Sequence, residues 1–100
     1  MDDSGKQTLL FARLVVMLHA ATMQYLGKVK NPLTDKVERD LPAAQGMIDT
    51  LDMLENRTRG NLTPEESRMI GQLLQELRLN YVDEAQKPGT VPAPDAGATA

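Results

Sequence analysis

Apolar residues crowd the first quarter of the chain. From Leu9 to Leu26 fourteen of eighteen positions are apolar, the exceptions being Arg13, His19, Thr22 and Gln24. Gly27 then offers the left-handed backbone that commonly ends a helix, so the pattern predicts a first helix over residues 8–26. Residues 28 to 41 alternate charges around Asn31-Pro32 and Thr34-Asp35 with too few apolar positions to define a face, which reads as a loop. At Asp40-Leu41-Pro42 an N-cap carboxylate precedes a proline that wastes no donor, and a second helix is expected over 42–59. Its stripe is Ala44, Met47, Ile48, Leu51, Leu54 and Thr58, with Arg57 and Arg59 near its end and Gly60 closing it. Thr63-Pro64-Glu65-Glu66 is the clearest local signal, a capping box with first-turn proline. It opens a third helix over 64–84 with the stripe Ile70, Leu73, Leu74, Leu77 and Tyr81.

A link of about three residues joins antiparallel neighbours, so the second and third helices should form a hairpin. Gly46 and Gly71 inside them cost about 1 kcal/mol each relative to Ala and are expected to mark close backbone approaches. The expectation is an all-α domain: an arm over 1–7, a helical domain over 8–85 with a long apolar first helix packed on the hairpin, and a disordered Pro/Ala/Gly tail over 86–100.

On a helical wheel the first helix has two apolar stripes rather than one. Phe11, Leu14, Leu18, Ala21 and Tyr25 form the first; Leu9, Ala12, Val16, His19, Met23 and Leu26 form the second; Val15 and Thr22 bridge them. One stripe is expected to cover the hairpin and the other to meet a second chain, since an uncovered stripe would be a large apolar patch. The second stripe is the candidate interaction surface, with His19 its single polar member. Internal wrapping by the hairpin is the rival arrangement.

Composition narrows the chemistry. With no Trp, one Phe and two Tyr, the core must be aliphatic and Met-softened. A net charge of −3 argues against nucleic acid as partner. Zero Cys and one His leave no thiol nucleophile, disulfide framework or multi-His metal motif, so no cofactor or metal is expected. Arg13 and His19 inside a run at the short end of the ~17 to 25 residues of a span argue against membrane crossing. The acidic start of the chain lacks the basic region of a secretory signal, and the protein is read as cytoplasmic.

Three constellations carry groups capable of chemistry. Asp49 and Asp52 form a polar line along the second helix, read as a solvated face opposite its apolar stripe. His19 has no carboxylate on its own stripe to make it a general base. Arg57, Arg59 and Arg68 surround the turn between the second and third helices, where Glu65 and Glu66 offset them and dipole complementarity explains them.

Phe11 through Leu26-Gly27, Ala44, Ile48-Asp49-Thr50-Leu51, Met53-Leu54, Thr58, Gly60-Asn61-Leu62-Thr63, Glu66, Leu77-Arg78 and Tyr81-Val82 together resemble the short bacterial proteins grouped as domain of unknown function 1844. The resemblance runs from about residue 9 to 82 and implies a small all-helical protein. It brings no activity, substrate or cofactor to transfer, and draws attention to Asp49, Thr50, Asn61 and Thr63. The functional expectation is a non-enzymatic helical interaction protein, a homo-oligomer such as a dimer or a small subunit of an assembly working through the first helix. The alternatives are a ligand or catalytic site between chains near the polar face of the second helix, and peripheral membrane attachment through the first.

Overall fold

A computed structural model describes residues 3–87. The chain folds as three α-helices, α1 (Asp3–Tyr25), α2 (Leu41–Arg57) and α3 (Pro64–Ala85), with no strand among the described residues. The expected all-α arrangement is therefore observed. α1 starts five residues before the position that hydrophobic periodicity indicates, because residues 3 to 7 continue the helix without adding to an apolar face. The tail expected beyond residue 86 falls, from residue 88 on, outside the described residues.

Local chemistry starts the second and third helices where the sequence places their signals. Asp40 accepts from the Ala43 N–H at 3.0 Å and Pro42 sits in the first turn of α2. At α3 the capping box is complete. Thr63 Oγ1 accepts from the Glu66 N–H at 3.1 Å, and Glu66 Oε1 accepts from the Thr63 N–H at 2.8 Å. Such a cap stabilises a helix by about 1 kcal/mol.

The core lies where the three helices meet. Val15 and Leu26, Ala44, Ile48 and Leu51 of α2, and Ile70, Leu74 and Leu77 of α3 are buried, with Phe11, Leu18, Met23, Leu54, Leu73 and Tyr81 packed around them. Thr22 is the one polar residue on the buried line of α1. Its hydroxyl donates to the Leu18 carbonyl at 2.6 Å, which removes the cost of an unsatisfied buried donor.

The loop between α1 and α2 is more ordered than its composition suggests. Gly27 turns the chain with φ of +79°, and a Cβ there would lie 3.3 Å from the Cβ of Arg39. Beyond it Asn31 organises a tight reversal: its side chain accepts from Leu33 N–H at 2.8 Å, and its backbone N–H pairs with the Lys36 carbonyl at 2.8 Å. Asp35, at φ of 58°, adopts the left-handed conformation that Asp tolerates.

The expected close approach at Gly46 is absent. Nothing lies within 4 Å of a Cβ built there, whereas at Gly71 a Glu55 carboxylate oxygen would be 3.6 Å away. Gly46→Ala should therefore stabilise the protein by about 0.5 to 1 kcal/mol, the helix-propensity gain alone. Urea denaturation checks this. A lower midpoint would mean that the space beside Gly46 is occupied in solution.

Candidate functional site: the outward face of the first helix

Only two of the 23 residues of α1, Val15 and Thr22, are buried. They are the two that bridge the apolar stripes, so the hairpin contacts the seam between the stripes and takes some members of each. Phe11 and Leu18 of one stripe and Met23 and Leu26 of the other pack on the core. The six candidate residues consequently do not share a surface. Leu26 is fully buried, Ala12, His19 and Met23 are half-buried, and Leu9 and Val16 are exposed.

His19 faces the hairpin. Its Nε2 lies 3.4 Å from Glu76 Oε1 of α3, at ion-pair distance but without hydrogen-bond geometry. The carboxylate that the stripe lacks is thus supplied by another helix.

The surface left in water points away from the hairpin and consists of Leu9, Leu10, Leu14, Val16 and Met17, between 42% and 64% exposed. Ala12, Arg13, Val16 and Met17 line a shallow apolar depression along it. Leu10 and Met17 belong to neither stripe of the wheel. Sequence reasoning missed them because an almost wholly apolar circumference does not reveal which side is covered.

The remaining candidate residues have local partners. Asp49 accepts from the Gln45 amide at 2.9 Å, and Asp52 accepts from Arg78 Nη2 at 2.9 Å. Asp52 therefore lies at the flank of α2 beside α3 rather than opposite the apolar stripe. With Tyr81 and Val82 these residues line a recess of about 240 Å³ on the hairpin. A half-exposed pair of this kind contributes only about 0 to 1 kcal/mol. Arg59 Nη2 donates to Asn56 Oδ1 at 2.7 Å, while Arg57 and Arg68 are exposed.

Asn61 and Thr63 line a second recess of about 310 Å³ with Thr58, Leu62 and Glu66, closed by Ser4, Gln7, Thr8 and Phe11 of α1. Its groups are mostly amides and hydroxyls, and the Glu66 carboxylate is engaged in the capping box. Thr50 hydrogen-bonds the Gly46 carbonyl at 2.8 Å. Among the described residues no cluster of three or more His, Cys, Asp or Glu side chains could hold a metal ion.

One electrostatic feature lies at the opposite end of the bundle from that second recess. Glu84, 5% exposed on the last turn of α3, meets Lys28 Nζ at 2.8 Å, Arg39 Nη1 at 2.7 Å and Lys87 Nζ at 2.7 Å. Burial pushes its carboxyl up, but hydrogen bonds from Lys28, Lys87 and Arg39 outweigh burial and hold it down at about 2. Hydrogen bonds to Asp83 and Glu84 raise Lys28 above the usual amine range. Lys28 also lowers the exposed Asp83 carboxyl, by hydrogen bond first and by charge second. The loop is thereby clasped to the end of α3.

Fold and site together define a small all-helical protein in which a hairpin supports one helix with an open apolar face. The chain belongs to the family described as Domain of unknown function (DUF1844), whose model matches residues 8–84 and so takes in most of α1, all of α2 and nearly all of α3. No curated protein and no solved structure matches it.

Proposed function

We propose that this is a non-enzymatic interaction protein whose docking surface is the outward face of α1, making it a small subunit of an assembly. The observation that carries the reading is that five large apolar side chains of one helix, from Leu9 to Met17, stay in water although Phe11, Val15, Leu18 and Met23 of the same helix pack on a formed core. An apolar patch of this kind usually marks a binding surface. The non-enzymatic part is supported by the carboxylates of both recesses being engaged locally, Glu66 by the Thr63 N–H and Asp49 and Asp52 by Gln45 and Arg78. By length and composition α1 also passes the test for a membrane-crossing helix, but Arg13 lies on its outward face and would enter the lipid. A cytoplasmic setting fits this proposal.

Met17→Lys places a charge in the middle of the face without touching the core. In extracts of the native cell, the wild-type chain should elute from a sizing column well above its 11.0 kDa, and the variant should elute as a folded monomer. Identical elution of the two chains would overturn the reading.

A further inference from the structure

We infer that the occupant of the outward face of α1 is a second copy of this chain, packed antiparallel along the helix. The inference rests on the reading of that face as a docking surface, and it adds which partner is taken and in which direction.

The size profile of the face is self-complementary. At about 100° per residue, Lys6, Arg13, Met17 and Gln24 point within about 20° of the direction opposite the buried Val15. Leu9 and Leu10 flank this line in the first half of the helix, and Ala20 and Ala21 flank it in the second. An antiparallel two-fold centred near the level of residue 15 sets Leu9 and Leu10 of each chain opposite the partner's Ala20 and Ala21, each pair on its own flank. Large side chains then fill the space over small ones along the whole contact. A parallel pair would set leucine against leucine at one end and alanine against alanine at the other, splaying the helices. A two-fold axis needs such a surface, one that complements itself.

Area agrees with a pair. Leu9, Leu10, Leu14, Val16 and Met17 are 48%, 47%, 42%, 53% and 64% exposed. Together they leave roughly 450 Å² of apolar surface in water, within the ~300 to 600 Å² of the largest patch on a typical monomer, a patch that is often functional. With Ala20, Ala21 and the aliphatic stems of Lys6 and Arg13, the face approaches the ~800 Å² that each partner gives to a standard interface.

Charge placement separates a second chain from a lipid surface. Membrane-lying helices keep cations at the polar edge, whereas Lys6 and Arg13 sit at the centre of this apolar face, and the net charge of −3 opposes anionic headgroups. In the pair the Arg13 stem lies across the partner's Met17 and its guanidinium reaches the rim. The two Arg13 residues fall about one helical turn apart across the axis and repel, so added salt strengthens the pair.

The test uses the full chain. Sedimentation equilibrium should give twice 11.0 kDa for the wild type and monomer for Met17→Lys, which sets a like charge against the partner's Arg13, with unchanged helical circular dichroism. Arg13→Leu, which removes the repulsion, should tighten the dimer about fivefold. The chain has no cysteine, so direction can be read by disulfide formation. A mixture of Leu10→Cys and Ala21→Cys chains should cross-link several-fold faster than either chain alone. A wild type that stays monomeric at about 100 µM overturns the inference, as does faster cross-linking of Leu10→Cys with itself. So does a monomer that floats with phosphatidylglycerol vesicles. If the purified chain is a monomer while the complex in extracts still depends on Met17, this inference fails and the docking reading stands; if neither association exists, both fail.

Discussion

Leu51→Ala is expected to lower the unfolding free energy by about 3 kcal/mol, within the 2 to 5 kcal/mol that such truncations cost in a close-packed core. Leu51 is 0% exposed at the centre of α2, facing the buried residues of both other helices. The backbone of α2 is held at its start by the Asp40 cap, so the helix has limited freedom to collapse into the space left behind. In a domain this small the loss is a large fraction of total stability, and the thermal midpoint should fall by about 15 °C. Leu33→Ala removes the same atoms from a side chain 93% exposed at the tip of the loop, and should change stability by less than about 0.5 kcal/mol. Thermal denaturation of the two variants in parallel checks the packing. Equal losses would mean that the helices meet along other faces.

Glu84→Gln is the second large effect, and it depends on pH. The carboxyl is held at about 2 in the folded chain against 4.5 as its ordinary value, so the folded state favours the ionised form. A depressed acid contributes its stability in full above the unfolded pKa, and that contribution is lost as pH falls from about 4.5 towards 2. Wild type should thus exceed the variant by about 2 to 3 kcal/mol at pH 7, and the difference should shrink steeply by pH 2.5. Denaturant titrations of both proteins at the two pH values read this, since the carboxylates outside the Asp83–Glu84 cluster cancel in the difference. A gap that is the same at both pH values would sink the assignment.

The parts of this architecture that were legible in the sequence are those encoded by neighbours. Thr63 and Glu66 specify the start of α3 within four residues, and Asp40 with Pro42 does the same for α2; each acts on backbone donors beside it. The stripe of α3 was equally legible because its polar face contrasts with it. α1 offered no such contrast. Its circumference is apolar nearly all round, so periodicity could not show that Val15 and Thr22 form the buried line or that Leu10 and Met17 face outward. The placement of His19 against Glu76 was hidden for the same reason. The clasp at Glu84 was invisible for another: Lys28 and Arg39 lie far from it in sequence, and nothing local singles out these charges from the others in the chain.

That clasp and the recess beside Asn61 lie at opposite ends of the bundle, which follows from an odd number of antiparallel helices. Residue 3 sits by the turn between α2 and α3, and residue 87 sits by the loop between α1 and α2. A helix of about 20 residues separates the two points by about 30 Å. Attachments at residues 3 and 87 of one chain are therefore held apart by the length of the bundle. In an antiparallel pair the geometry reverses: residue 3 of each chain comes alongside residue 87 of the other, so a donor dye at one and an acceptor at its neighbour's other position would be closer than the same two dyes on a single molecule.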